Sequence, residues 1–104
     1  MEYAPRKIAL LGEAQVQDQF RVRKFQIDSN KHMNNVEYVR YAMETLPEDA
    51  AFRELRVEYK KAALYGDEVT VAVLQAQGKH QVVLQDQEGA VYAVVEFTLE
   101  GSTV

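Results

Sequence analysis

Asp28, Asn30 and His32 stand two residues apart in the polar run Asp28-Ser29-Asn30-Lys31-His32, followed by Met33, Asn34 and Asn35. In a locally extended stretch, residues at this interval project to one side and can converge on one ligand. A carboxylate, an amide and an imidazole together suit acyl hydrolysis. The carboxylate would activate water or attack a thioester carbonyl, while the imidazole or the amide would stabilise the developing oxyanion. The first N–H groups of a following helix could assist. The same residues have a plainer reading, in which Asn34 caps a helix and the others are turn residues chosen for local backbone bonding. Spacing alone leaves both open. A metal centre is the weaker option, because the run offers a single imidazole and the chain has no cysteine. No cofactor is implied.

Other chemistry-bearing residues are more scattered. His80 has no acidic or imidazole neighbour at suggestive spacing and reads as a surface strand residue. Tyr38, Tyr41, Tyr59, Tyr65 and Tyr92 lack interleaved basic residues, so they read as core packing rather than a stacking surface for bases. Glu58, Lys60 and Lys61 read first as a solvated strand face, and Lys60 and Lys61, with Arg56, read second as a docking patch for an acidic carrier.

The elements that must position the polar run follow from hydrophobic periodicity. Residues 1–15 fit an extended lead-in. Residues 17–27 carry Phe20, Val22, Phe25 and Ile27 at strand-like spacing, with a phase change near Arg23-Lys24 that a bulge would absorb. Asn34, followed three residues later by Glu37, is a helix start of the capping-box kind. Val36, Val39, Ala42, Met43 and Leu46 then recur at helical steps until Pro47, predicting a helix about 20 Å long that the sheet largely wraps. Leu55, Val57 and Tyr59 alternate with charged residues, as do Val69, Val71 and Val73, with Tyr65-Gly66-Asp67 as the turn between two antiparallel strands. Turns at Gly78-Lys79 and Glu88-Gly89 separate two further strands, HQVVLQD and VYAVVEFTL. The order predicts an α+β fold in which one long helix packs on an antiparallel sheet of about five strands.

Composition narrows the functional classes. A chain of 104 residues with 47% hydrophobic content supports one domain and one modest core. A net charge of -4 argues against nucleic acid, which calls for a basic excess. It would also repel an acidic carrier protein unless a local Lys/Arg patch offset it. No apolar run reaches the roughly 20 residues of a membrane span, and the opening residues lack the apolar stretch of a secretory signal, so the expected location is the cytoplasm.

The run D-S-N-K-H-M-N-N-V-E-Y-V-R-Y-A-M-E-T-L-P, followed by V-E-Y-K-K and Y-G-D-E-V, resembles the acyl-ACP thioesterases of bacteria and plants over about residues 20–73. The core D-x-N-x-H-x-N-N-V-x-Y is quite specific. The wider hotdog thioesterases more often place glycine directly before the histidine, where this chain has Lys31. The resemblance implies a hotdog fold and hydrolysis of the thioester between a fatty acyl chain and acyl carrier protein, ending fatty acid synthesis. Carried over by position, the catalytic aspartate falls on Asp28, the asparagine on Asn30 and the histidine on His32. Asn34, Asn35, Lys60 and Lys61 are the expected substrate or carrier contacts.

Two departures accompany the match. The family places a further catalytic glutamate directly after Tyr-Lys-Lys, where this chain has Ala62. Glu58 is no ready substitute, since four residues along a strand is a displacement of about 13 Å. The family also joins two hotdog halves in one chain, and residues 1–104 resemble the C-terminal half alone. A lone half leaves a sheet edge and an apolar face unpaired, which predicts a homodimer. Two alternatives to an acyl-ACP hydrolase therefore stand: a non-catalytic half serving dimerisation or carrier binding, and a stand-alone acyl-CoA thioesterase.

Overall fold

The C-terminal third of the chain builds the middle of the sheet. In the computed structural model, which describes residues 7–100, strand β3 (Glu68–Ala76), β4 (Lys79–Gln85) and β5 (Val91–Leu99) follow one another as an antiparallel meander. The β3–β4 connection is a two-residue turn in which Gln77 and Gly78 have φ of 54° and 76°. Positive φ at both central residues matches the right-handed twist of the strands. The meander is extended on both sides by strands from earlier in the chain. β1 (Gln15–Arg21) adds beside β3, and β2 (Phe52–Tyr59) adds beside β5, giving the order β1-β3-β4-β5-β2 with every neighbour antiparallel.

One face of this sheet carries the core. Val69 and Val71 of β3, Val82 and Leu84 of β4, and Ala93, Val95 and Phe97 of β5 are almost wholly buried and cluster with Tyr38 and Ala42 of the helix α1 (Asn35–Glu44). Each such side chain, fully buried, contributes about 1.5–3 kcal/mol if valine-sized or larger. α1 thus lies across the sheet as the filling of a hotdog fold.

The other face is also covered, and by polar means. Gln81 and Glu96 are buried there and joined at 2.8 Å, and Glu96 pairs with Arg56 at 3.1 Å. The segment before β1 crosses this face: Gln81 accepts from Leu11 N–H and donates to the Ala9 carbonyl, while Glu58 accepts from Ile8 N–H. That bond, followed by Lys60, holds the Glu58 carboxyl below its usual range. Among the described residues, Arg56 Nε is the one buried side-chain polar atom without a partner.

Several expectations need correction. β1 ends at Arg21, and the phase change is absorbed by a 3-10 turn at Lys24–Gln26, so Phe25 points outward at 75% exposure while Gln26 is buried. The predicted bulge lies instead between Val16 and Asp18. α1 has ten residues, about 15 Å at 1.5 Å per residue, and ends at the Thr45 cap before Pro47. One flank of it stays open, with Val36 and Met43 about half exposed, and the buried stripe runs through Glu37, Tyr38 and Ala42. β2 and β3 run in opposite directions but are not paired, since β4 and β5 lie between them. His80 is buried in β4 rather than on the surface, with Nε2 2.9 Å from Thr45 Oγ1 and Nδ1 2.8 Å from Gln75 Nε2. Tyr59 and Tyr65 are exposed, whereas Tyr38 and Tyr92 are core. The lead-in expectation for residues 1–6 lies outside the described residues.

Candidate functional site

The polar run is a closed loop built around one carboxylate. Ile27 and Met33 form an antiparallel bridge at its neck, and Asp28 N–H donates to the His32 carbonyl at 2.8 Å. Inside the neck, Lys31 N–H donates to the Asp28 carbonyl at 2.9 Å. Asp28 Oδ1 accepts from Asn30 N–H at 2.9 Å and from His32 N–H at 3.2 Å. One carboxylate oxygen therefore replaces the secondary structure that this short stretch cannot make. The turn requires Lys31 to take φ of 68°, the left-handed region in which a side chain is unfavourable and glycine is not.

The loop is seated on a buried polar platform. Gln26 accepts Asn34 N–H on its main-chain carbonyl at 2.7 Å, and its side-chain amide donates to Glu37 and to the Tyr41 hydroxyl. On the other flank, His32 bridges Leu64, and Met33 N–H donates to the Ala63 carbonyl at 2.8 Å. Ala63 N–H in turn donates to the Tyr38 hydroxyl at 3.0 Å. Burial pushes the Tyr38 phenol above its ordinary range, and the charges of Asp67 and Asp28 add to the rise against the Ala63 hydrogen bond. The tyrosine is thus a neutral prop beneath the loop and beside the Asp28 carboxylate.

The structure distributes the expected residues as follows. Asp28 is half-buried, and Asn30 and His32 are exposed. Neither the Asn30 amide nor the His32 ring bonds to another described residue, so both face outward from a loop whose backbone Asp28 fixes. The residues are gathered by a turn and not by extended alternation. Asn34 caps α1 through its side chain, which accepts from Val36 N–H at 3.1 Å. The capping box is not completed, because Glu37 turns inward to Gln26 and Arg40. Asn34 engages the N–H groups of both Val36 and Glu37, so these helical donors are already occupied. The Asn35 side chain is exposed at the start of α1, and its carbonyl accepts from Tyr59 at 3.4 Å. Lys60 pairs with Glu58 at 3.5 Å and Lys61 with Asp86 at 2.7 Å. Glu58 faces the outer side of the sheet, away from the Asp28 loop. No group of three or more candidate metal ligands occurs among the described residues.

Sequence reasoning missed Gln26 and the role of Tyr38. Nothing in the sequence distinguishes a glutamine that anchors a loop from one on a solvated strand. The sequence predicts Tyr38 in the core but assigns no task to its hydroxyl.

The model of the acyl-ACP thioesterase C-terminal domain family matches residues 11–100. This chain belongs to that family. No curated protein sequence matches it. Among solved structures, the acyl-ACP thioesterase of Bacteroides thetaiotaomicron is similar with a TM-score of 0.72 at 17% identity, covering 94% of this chain and 44% of that one. The 12:0-ACP thioesterase of Umbellularia californica is similar with a TM-score of 0.79 at 20% identity, covering 91% and 39%. YbaW, a probable thioesterase of Escherichia coli, is similar with a TM-score of 0.70 at 20% identity, covering 82% and 80%. The chain therefore spans less than half the length of the two acyl-ACP thioesterases. At these identities the likeness establishes the hotdog fold of this acyl-ACP thioesterase C-terminal domain. In it, no helix among the described residues is long and apolar enough to cross a membrane.

Proposed function

We propose that this domain hydrolyses the thioester joining a fatty acyl chain to acyl carrier protein in the cytoplasm, releasing free fatty acid for lipid metabolism. The observation that carries the reading is the Asp28 loop, which spends one carboxylate oxygen on its own backbone and turns Asn30 and His32 outward. Asp28, through its other oxygen, activates water for attack on the carbonyl carbon, or attacks it directly to expel the thiolate and form an anhydride that water then cleaves to free fatty acid. The Asn30 side-chain amide, unlike its backbone N–H, makes no bond to the Asp28 carboxylate, which favours a role on the acyl carbonyl. His32 supports the oxyanion or passes the proton to the departing thiolate. Asn34 and Asn35 at the helix start, with Lys60 and Lys61, border the route by which the acyl-carrier thioester approaches.

A homodimer completes the arrangement. Leu55, Val57 and Tyr59 of β2 pair with core residues of β5 and so face the helix side at an open sheet edge. Val36 and Met43 add exposed apolar surface on α1. An edge strand flanked by such surface is suited to pairing with a second copy.

A second reading, a non-catalytic half serving dimerisation or carrier binding, is favoured by Ala62. It is exposed and two residues before the bridge partner of His32, where a glutamate would flank the loop. The deciding experiment is hydrolysis of a panel of acyl-ACP and acyl-CoA thioesters by the wild type, Asp28→Asn and Ala62→Glu. Turnover lost in the first variant and raised in the second supports the hydrolase. Absence of turnover in every version supports the non-catalytic half, and strong preference for acyl-CoA supports a stand-alone acyl-CoA thioesterase.

A further inference from the structure

The 3-10 turn that displaces Phe25 from the core also gathers charge. Arg21, Arg23 and Lys24 line a cavity of about 480 Å³ together with Val22, Phe25 and Tyr65. No carboxylate lines it, in a chain whose net charge is -4. Arg21 is paired with Glu68 at 2.6 Å, but Arg23 and Lys24 have no ion-pair partner among the described residues. Phe25 and Tyr65 stand at 75% and 61% exposure, the two most exposed aromatic side chains among the described residues. Lys60 and Lys61 differ, since each is tied to a carboxylate of its own chain.

The position of this surface relates it to the loop. Residues 21–25 lead through Gln26 into the neck at Ile27, and Tyr65 follows Leu64, the bridge partner of His32. Both chain segments that wall the cavity therefore continue into the segments that hold the Asp28 loop. A partner seated on Phe25 would lie beside the loop rather than on the far face of the sheet.

We infer that the Arg21-Arg23-Lys24 surface, with Phe25 and Tyr65 as apolar anchors, is the docking face for the acidic carrier protein that presents the acyl chain. The inference rests on the acyl-ACP hydrolase reading and deepens it. Unpaired cations steer an acidic partner through a field that reaches about 8 Å at physiological salt. Exposed aromatic rings in the middle of such a patch supply the burial that holds it. Together they offset the repulsion that the overall charge would otherwise impose.

The test measures binding of purified acyl-ACP to the wild type, Arg23→Glu/Lys24→Glu and Phe25→Ala, at low and high salt. Hydrolysis of acyl-CoA and of a short acyl-pantetheine is followed in parallel. All the altered side chains are exposed, and circular dichroism checks that each variant folds. The expected result is a loss of about tenfold or more in carrier affinity for the Arg23/Lys24 reversal and about fivefold for Phe25→Ala. Acyl-pantetheine turnover is unchanged in both variants. Carrier binding untouched by the Arg23/Lys24 reversal overturns the docking face while leaving the hydrolase reading intact. A reversal that impairs acyl-CoA turnover and spares the carrier also overturns it, marking the patch as a coenzyme phosphate site. A wild type that binds no carrier overturns the docking face and the carrier half of the proposed function together.

Discussion

Two glutamines, Gln26 and Gln81, are buried on opposite faces of the sheet and do the same kind of work for different ends. Gln81 holds an incoming segment against the outer face by accepting from Leu11 N–H and donating to the Ala9 carbonyl. Gln26 sits under the Asp28 loop, with its amide donating to Glu37 and Tyr41 and its side-chain oxygen accepting from Arg23 N–H at 2.9 Å. Each substitutes a side-chain amide for a backbone partner that a regular strand would provide. The outer-face glutamine has a charged neighbour, Glu96, that Arg56 also holds, whereas Gln26 connects turn, loop and helix at one point. Loss of the first should loosen a strap, and loss of the second should loosen the candidate site.

That contrast can be broken in graded ways. Gln26→Leu should have the largest effect, about 2–4 kcal/mol of stability lost, because it removes several buried hydrogen bonds and leaves Glu37 with Arg40 alone. Chemical denaturation reads the loss, and amide exchange at Asn34 should rise in step. Gln81→Leu should cost about 1–3 kcal/mol, with faster exchange at Leu11 and little change at residues 28–34. Equal disturbance of the loop by both variants would dissolve the distinction between the two faces.

The remaining predictions concern smaller effects. Burial holds His80 below its ordinary value of 6.5, so the folded protein takes up its proton at lower pH than the unfolded chain does. The unfolded state then binds more protons just below pH 6.5, and stability falls as pH drops from there towards the folded value. Urea midpoints between pH 7.5 and pH 5, compared with those of His80→Gln, should show a steeper decline in the wild type; these limits are set at about one unit or more either side of the ordinary value. Lys31→Gly should stabilise the domain by up to about 1 kcal/mol, because relief of the left-handed strain exceeds the added flexibility of the unfolded chain. A thermal midpoint that falls instead would mean that the Lys31 side chain contributes contacts worth more than the strain.

How far the sequence speaks depends on how local the determinants are. The helix start at Asn34 and the strand from Val91 to Leu99 were legible, because a cap and an alternating β-branched run are decided within a few residues. The turns at Gly78 and Gly89 were legible for the same reason, with φ of 76° and 91° that glycine accepts freely. Pairing was less legible: Leu55-Val57-Tyr59 and Val69-Val71-Val73 look like hairpin partners, and only the full sheet shows that two strands separate them. The buried stripe of α1 was misread because Glu37 and Tyr38 face inward through polar contacts that hydrophobic spacing does not record. At the candidate site, residue types pointed to the loop. Its closure around Asp28 Oδ1 depends on bonds to backbone N–H groups that have no sequence signature.

The sequence-contiguous meander β3–β4–β5 has a consequence for how the molecule is made. Its ladders join residues that lie close along the chain, so each closes with little loss of chain entropy and can form early. β1 and β2 must each cross a longer stretch of chain to reach their places beside β3 and β5. Transition-state mapping should accordingly find the native contacts of residues 68–99 formed first. The Asp28 loop and α1 would then settle onto a surface that already exists, so that mutations in the loop chiefly speed unfolding and leave the rate of folding nearly unchanged.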